Sequence, residues 1–152
     1  MTGFPPSPAL AVALEEARAA AARGEVPIGA VITAPDGRII ARAGNRTREF
    51  KDPSAHAELL AIRAACATLG SERLPGHSLT VTLEPCAMCA AAIAAARLAR
   101  LVYGAPDPKS GGVIHGARIF THPQSHHVPE IISGIAETES AALLKAFFRD
   151  RR

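Results

Sequence analysis

Four side chains in two short motifs have the chemistry to bind a metal ion and move a proton. His56 and Glu58 stand in the triplet His-Ala-Glu, and Cys86 and Cys89 stand in the run Pro-Cys-Ala-Met-Cys. Imidazole nitrogen and thiolate sulfur are common zinc ligands, and two thiolates with one neutral imidazole balance the charge of the ion. Three protein ligands leave the fourth position open for water, which is typical of catalytic rather than structural zinc.

Glu58 would give such a site its reaction type. A bound zinc ion lowers the pKa of water toward neutrality, and a neighbouring carboxylate can take that proton and pass it to a leaving nitrogen. Residues two apart in the middle of a helix point to nearly opposite sides, so His56 and Glu58 can serve one ion only if the helix end faces the site. A solvated helix glutamate is the alternative interpretation.

The Cys-x-x-Cys motif has other interpretations when it is taken alone. Cysteines three apart share one face of a helix, and in its first turn the helix dipole favours the thiolate that zinc binds. Two buried cysteines could instead fill apolar holes in the core, or form a redox pair, although such pairs commonly follow the first strand of a thioredoxin-like unit. An isolated histidine at a helix start is likewise more often a structural residue.

Other cysteine and histidine residues are weaker ligand candidates. Cys66 lies ten residues beyond His56, about 15 Å along a helix, so it cannot share the ion and is expected in the core. Four later histidines are discounted as ligands and expected on the surface or in loops: His115, His122, His126 and His127.

Both motifs open predicted helices. Apolar spacing predicts a helix over residues 56–69 that ends at Gly70, and a second helix over residues 86–97 after a strand over residues 78–83. Each helix follows a strand or its trailing loop. The starts of the two helices can therefore meet at one point.

The remaining elements complete an alternation of strands and helices. Ser7 and Pro8 start a helix over residues 9–23, and a Pro-Asp-Gly turn joins a hairpin of residues 26–33 and 38–43. We further expect loops over 44–55 and 107–112, short strands over 101–103 and 128–132, a helix over 136–151, and no clear element over 114–129. This order indicates an α/β protein, a three-layer α/β/α sandwich with a central mixed five-stranded sheet.

Composition limits the class of protein. A chain of 152 residues that is 48% hydrophobic is the size of one domain, so we expect a single domain over residues 1–152. Three cysteines do not suit a secreted disulfide framework. Because no secretory signal or membrane-spanning run is evident, we expect a cytoplasmic protein with no membrane partner. A net charge of +3 permits contact with a polyanion without requiring one.

Cationic and aromatic residues occur on both sides of the metal motifs. Arg46, Arg48 and Lys51 precede the first metal helix, where they can pair with phosphates, although they are equally ordinary loop charges. The C-terminal segment combines aromatic rings and cations, a combination suited to stacking unpaired bases. The same aromatic residues also fit the apolar stripe by which a helix packs on the core. We expect one phenylalanine in the core and the tip to meet RNA. The residues of this segment are Phe147, Phe148, Arg149, Arg151 and Arg152.

Segments beyond the metal motifs match one family in order, over nearly the whole chain. They are residues 25–31 (EVPIGAV), 44–46 (GNR), 55–58 (AHAE), 82–86 (TLEPC), 104–105 (GA) with Asp107 and Lys109, and 147–149 (FFR). In its zinc motifs the sequence resembles the cytidine-deaminase superfamily, and in the flanking segments it resembles the bacterial tRNA adenosine deaminases.

This resemblance implies a hydrolase acting on C–N bonds of cyclic amidines, which converts the wobble adenosine of a tRNA anticodon to inosine with a zinc-activated water. It implies one Zn²⁺ per subunit, held by His56, Cys86 and Cys89, with Glu58 as the proton shuttle. It also implies a homodimer and an anticodon stem-loop as the partner.

The resemblance also implies substrate contacts. Asn45 would contact the flipped base, Ile28, Ala30 and Leu83 would wall its pocket, and Asp107 and Lys109 would touch neighbouring nucleotides. Turn, core and loop positions are the ordinary alternatives for these residues. Substrate contacts are also expected from Phe147, Phe148 and Arg149.

Two other functions compete. The first is a deaminase of a free base or nucleoside, of the guanine or cytosine type, on the same fold. The second is a non-catalytic, zinc-stabilised subunit or RNA-binding module, against which Glu58 and an open ligand position argue.

Overall fold

A computed structural model describes residues 7–150, which form two helical layers around one mixed sheet. The sheet order is β2-β1-β3-β4-β5. β1 is antiparallel to both neighbours, and β3, β4 and β5 are parallel. The strands are β1 (Gly29–Thr33), β2 (Ile39–Gly44), β3 (Ser78–Leu83), β4 (Arg100–Ala105) and β5 (Glu130–Ile132).

The helices start and end at residues suited to those positions. Ser7 accepts a hydrogen bond from the backbone N–H of Leu10 at 3.2 Å, and Gly70 ends the second helix in the left-handed conformation (φ 65°). None of the helices in residues 7–150 has the length and apolar character needed to cross a bilayer. The helices are α1 (Pro8–Ala22), α2 (Ala57–Leu69), α3 (Ala87–Ala95) and α4 (Glu137–Arg149), with a 3-10 turn at Ile119–Thr121.

Alternation along the strands places different helices on the two faces of the sheet. Ala30 and Ile32 face a core that includes residues of α2 and α3. Gly29 faces α1, where an added Cβ would lie 1.9 Å from the carbonyl oxygen of Ala13. Gly104 faces α4 in the same way, since its Cβ would lie 2.6 Å from Ser140 Oγ. The predicted three-layer α/β/α sandwich is therefore confirmed.

The element bounds differ from the sequence prediction at a few places. β1 begins at Gly29 rather than at residue 26, because Pro27 has no N–H to donate and the N–H of Ile28 bonds the carbonyl of Val26 in a turn. α3 ends at Ala95, and Arg97 takes a left-handed conformation (φ 60°). β4 is longer than predicted because it pairs with β3 along its whole length.

The C-terminal third differs most. The late strand is limited to Glu130–Ile132, and the segment without a clear prediction contains only one short 3-10 turn. α4 ends at Arg149, while the predicted end at Arg151 lies outside the described residues.

Candidate metal centre

The two metal motifs meet at the starts of α2 and α3. His56 immediately precedes the first helical residue of α2 and has an extended backbone (φ −74°, ψ 150°). Cys86 holds the same position before α3 (φ −71°, ψ 174°), and Cys89 lies in the first turn of that helix. The His56 side chain makes no capping hydrogen bond to its own helix, whereas the Cys86 sulfur is hydrogen-bonded to Cys89. The ligand atoms of all three residues lie within 4.8 Å of one another.

The spacing of these atoms suits a tetrahedral zinc ion. His56 Nδ1 lies 3.7 Å from Cys86 Sγ and 3.5 Å from Cys89 Sγ. With Zn–S bonds of about 2.3 Å and a Zn–N bond of about 2.0 Å, tetrahedral geometry requires N···S separations of about 3.5 Å. The three side chains therefore stand at ligand distances already. Within residues 7–150 this is the one such group of histidine, cysteine and acidic residues.

The extended backbone of His56 brings Glu58 to the same site. Because His56 precedes the helix, the helical rotation between positions two apart does not apply to this pair. Glu58 is only 4% exposed, and its Oε1 has no hydrogen-bond partner among the described residues. The Cys89 thiol is close enough to hydrogen-bond the Glu58 carboxylate. A buried carboxylate with an unused oxygen thus lies beside the ligand group.

The site shifts the pKa values of its own members. Burial raises the pKa of Glu58 to about 7. Hydrogen bonding from Cys89, opposed by burial and helped by His56, lowers the pKa of Cys86 to about 4. The same hydrogen bond and burial raise the pKa of the Cys89 thiol. The two cysteines therefore hold one proton between them, and one sulfur is already the thiolate that a thiophilic metal binds.

A cavity of about 480 Å³ opens between the end of the sheet and α4. It lies at the carboxyl ends of β3 and β4, and Leu83 in its wall is three residues from Cys86. The metal-binding side chains are not part of the wall. Five of the residues predicted to contact substrate are brought together there: Ile28, Leu83, Asp107, Lys109 and Phe148.

Two other predicted contacts lie elsewhere. Asn45 follows β2 and is 5% exposed, and the next residue, Arg46, donates its N–H to the carbonyl of Ala55, which precedes His56. Asn45 therefore adjoins a residue that is hydrogen-bonded to the backbone just before His56. Ala30 is fully buried in the core beneath α2 and does not line the cavity.

The end of α4 separates its two aromatic residues. Phe147 is buried, whereas Phe148 is 52% exposed and lines the cavity, and their rings meet edge to face at 5.3 Å. Arg149 is exposed and pairs with Asp150 at 3.5 Å. This matches the expectation of one core phenylalanine, while Arg151 and Arg152 lie outside the described residues.

The basic loop before α2 has a buried anchor that no local sequence pattern indicates. Glu25 is 2% exposed and accepts hydrogen bonds from the backbone N–H groups of Arg48 (3.2 Å) and Glu49 (2.8 Å). Arg46 pairs with Glu49 and lies 5.9 Å over the ring of the exposed Phe50. This loop is therefore held in place and presents cationic and aromatic groups at the surface.

A second unanticipated anchor is Glu84, whose side chain has no exposed surface. Its Oε2 accepts from the backbone N–H groups of Val113, Ile114 and His115 at 3.0 to 3.1 Å. Its Oε1 accepts from the N–H of Asp107 at 2.9 Å and from His115 Nδ1 at 2.8 Å. Burial alone would raise the pKa of Glu84, but these hydrogen bonds outweigh it and lower that pKa. In the sequence, the glycine pair Gly111-Gly112 indicates a close approach of the backbone here, because a Cβ on Gly111 would meet the Glu84 carboxylate.

The residues discounted as ligands have other contacts. Cys66 is half-buried in α2, and burial raises its pKa, as expected of an inert thiol. His122 and His127 hydrogen-bond the backbone carbonyls of Ala117 and Leu98, both at 2.6 Å.

Comparisons with known proteins agree with this geometry. The zinc-binding region of the cytidine and deoxycytidylate deaminases matches residues 7–105. The tRNA-specific adenosine deaminase of Agrobacterium fabrum (strain C58) is 61% identical over 141 residues, which cover 93% of this chain and 92% of that protein. Zinc is accordingly the cofactor for which the three ligand side chains are suited.

Solved structures extend the likeness to the whole fold. One from studies of A-to-I editing by tRNA:A34 deaminases at the wobble position of transfer RNA has a TM-score of 0.88 and 60% identity, covering 90% of this chain and 98% of that chain. Guanine deaminase from Bacillus subtilis has a TM-score of 0.65 and 32% identity, covering 94% and 91%. The chain therefore belongs to the zinc-dependent cytidine and deoxycytidylate deaminase family and, within it, to the tRNA-specific adenosine deaminases.

Proposed function

We propose that this protein hydrolyses the wobble adenosine of a tRNA anticodon to inosine and ammonia. The observation that carries the proposal is the meeting of His56, Cys86 and Cys89 beside the buried carboxylate of Glu58. The three residues would hold Zn²⁺, one ion per subunit, which supplies the Lewis acidity that activates water. The proteins of high identity that are named for this reaction support the same assignment.

Glu58 moves the protons of the reaction. It takes a proton from the attacking water and delivers it to the ring nitrogen of adenine. It then takes the proton of the new C6 hydroxyl and delivers it to the departing amine, so that both water protons are used. A carboxyl group with a pKa near 7 can both accept and return a proton at neutral pH. Its Oε1, which has no partner among the described residues, is available for this exchange. The buried acid argues against a purely structural zinc module, which would gain nothing from it.

The cavity between the end of the sheet and α4 would receive the extruded nucleotide and its neighbours. Ile28 and Leu83 supply an apolar wall, and Asp107 and Lys109 supply polar contacts to flanking nucleotides. Asn45 would hydrogen-bond the base. Ala30 is left out of the proposal, because a substrate could reach it only if the core opened.

The C-terminal helix and the basic loop favour RNA over a free base. Phe148 is half exposed and lines the cavity, where a base beside the target can stack, and Arg149 lies next to it in solvent. Phe147 acts as the buried support of that ring. A free purine would use none of the cations at Arg46, Arg48 or Lys51. A free-base deaminase of the guanine type remains the alternative, since such an enzyme shares this fold.

Inosine formation on anticodon stem-loops tests the proposal directly. We expect conversion of the wobble adenosine by the zinc-loaded protein, and no ammonia release from free guanine, cytosine, adenosine or cytidine. Glu58→Gln serves as the matched control, because it keeps the size of the side chain and removes the proton exchange. Ammonia from a free base, with no inosine in the stem-loop, would select the alternative.

We further infer a homodimer in the cytoplasm, with the whole chain as one deaminase domain. The outer side of α3 carries a depression of about 450 Å³ between Ala91, Ala94 and Ala95 on the helix and Ile119 on the following turn. Small side chains there allow another subunit to approach closely. Sedimentation equilibrium, with a substitution at the exposed Ala95 (Ala95→Arg) as the disrupting variant, tests the dimer.

A further inference from the structure

Glu84 joins two parts of the molecule that chain order keeps apart. It lies between Leu83, the last residue of β3, and the Pro85-Cys86 step that leads into the metal-binding helix. Its carboxylate is bonded to Asp107 at one end of the 107–115 segment and to residues 113–115 at the other end. Three successive N–H groups around one oxygen form a nest for an anion, here filled by the protein's own side chain.

The 107–115 segment, both ends of which are bonded to Glu84, carries the polar wall of the cavity. Asp107 Oδ1 accepts from the backbone N–H groups of Lys109 (3.2 Å) and Ser110 (3.0 Å), which fixes the turn between them. All three residues line the cavity. Because the turn begins at the residue whose N–H bonds Glu84, the position of that carboxylate sets the position of the wall.

The same segment packs directly on the start of α3. The N–H of Gly112 bonds the carbonyl of Pro85 at 2.8 Å, and a Cβ on Gly112 would lie 2.5 Å from the backbone nitrogen of Ala87. A Cβ on Gly111 would lie 2.5 Å from the Glu84 carboxylate itself. The segment therefore packs closely against both the Glu84 carboxylate and the first residue of α3.

We propose that Glu84 is a positioning residue, which fixes Asp107 and Lys109 relative to the metal centre and thereby sets how tightly the nucleotides beside the target are held. It does not touch substrate or metal in this role. The inference rests on the proposed function for its substrate, while the anchoring of the segment can be measured without any substrate.

Glu84→Gln is the primary variant. It keeps the size of the side chain but turns one acceptor oxygen into an N–H donor that faces other N–H donors, so several charge-assisted bonds are lost together. We expect KM for an anticodon stem-loop to rise roughly tenfold or more, with kcat within about twofold of wild type and zinc content unchanged. The backbone amides of Asp107, Val113, Ile114 and His115 should exchange hydrogen faster than in wild type. A fall in kcat at constant KM, or loss of zinc, would overturn the proposal.

A double-mutant cycle separates positioning from general loss of stability. If Glu84 acts through Lys109, then adding Lys109→Ala to Glu84→Gln should raise KM less than Lys109→Ala does in wild type. The matched control is Arg46→Ala, in the basic loop before α2, whose effect should be the same in both backgrounds. If the effects on KM of Lys109→Ala and of Arg46→Ala are both simply additive with that of Glu84→Gln, the link between Glu84 and Lys109 is refuted.

Two further outcomes remain decisive. Should Glu84→Gln fail to fold, His115→Ala removes one donor from the same carboxylate on a partly exposed side chain and should shift exchange and KM in the same direction. No change in either quantity would overturn the proposal. A wild-type protein that makes no inosine, yet whose Glu84→Gln variant loses amide protection, would refute the proposed function alone.

Discussion

Replacement of Glu58 by glutamine should remove activity and at the same time stabilise the zinc-depleted protein. Glu58 is almost fully buried, and glutamine has nearly the same shape, so packing is retained. The substitution removes a carboxylate that can move a proton and that is costly to ionise in this place. The two effects have one cause, which is the burial of the acid.

The loss of activity follows from the proton transfers. General acid–base catalysis contributes about 10² to 10⁴ in rate, so kcat for inosine formation should fall by at least that order. Zinc content should stay at one ion per chain, since glutamine leaves the three ligand side chains untouched. Single-turnover conversion of a stem-loop, with zinc measured by mass spectrometry, provides both numbers.

The gain in stability depends on pH. Burial raises the pKa of Glu58 to about 7 from an ordinary 4.5, so the acid is protonated in both states at low pH and costs nothing there. As pH rises from about 4.5 to 7 the unfolded chain ionises first, and the folded state loses stability. Above pH 7 the full cost is on the order of 3 kcal/mol.

Urea unfolding of zinc-depleted wild type and Glu58→Gln at pH 5 and pH 8 measures this cost. The two proteins should have similar free energies of unfolding at pH 5, and the variant should be more stable at pH 8. Equal stability at pH 8, together with a loss of activity, would mean that the carboxylate is not held in a desolvated site. That result would refute the link between burial and proton shuttling.

Three other predictions concern the metal, the packing and the aromatic pair. Cys89→Ser should reduce bound zinc well below one ion per chain, measured by mass spectrometry after dialysis, because a hydroxyl is a poorer zinc ligand than a thiolate. Gly112→Ala should lower the free energy of unfolding by about 1 to 3 kcal/mol and reduce the melting temperature seen by circular dichroism, because its Cβ would meet the backbone of α3. Phe148→Ala should weaken stem-loop binding, measured by fluorescence anisotropy, by about 1 to 3 kcal/mol with the fold intact, whereas Phe147→Ala should destabilise the fold by about 3 kcal/mol or more.

Much of the fold and the metal group could be predicted from local patterns. The strand Ser78–Leu83 and the helix ended by Gly70 follow from apolar periodicity and a glycine cap, which are properties of adjacent residues. The meeting of the His-Ala-Glu and Cys-x-x-Cys motifs at two helix starts could also be predicted, because it depends only on the ligand chemistry and the positions of the motifs in the chain. The exact path of His56 did not follow, because the predicted helix began at His56, whereas this residue is the N-cap and has the extended backbone usual at that position.

The anchors of the surrounding loops could not be predicted. Glu84 is bonded to residues 23 to 31 positions away, and Glu25 to residues 23 and 24 positions away. No periodic pattern marks such bonds. The segment after Gly112 lacked a clear prediction for the same reason, since a buried carboxylate holds it and not a repeating apolar face.

The separation of the ligands along the chain has a consequence for biosynthesis. Cys86 lies 30 residues after His56, and their two helices converge only where β3 has entered the sheet beside β1. A nascent chain that has emerged only as far as α2 contains His56 alone of the three ligands. Zinc binding by all three ligands therefore requires the central strand to have paired, and the rate at which the three-ligand site forms during refolding would report the completion of native topology.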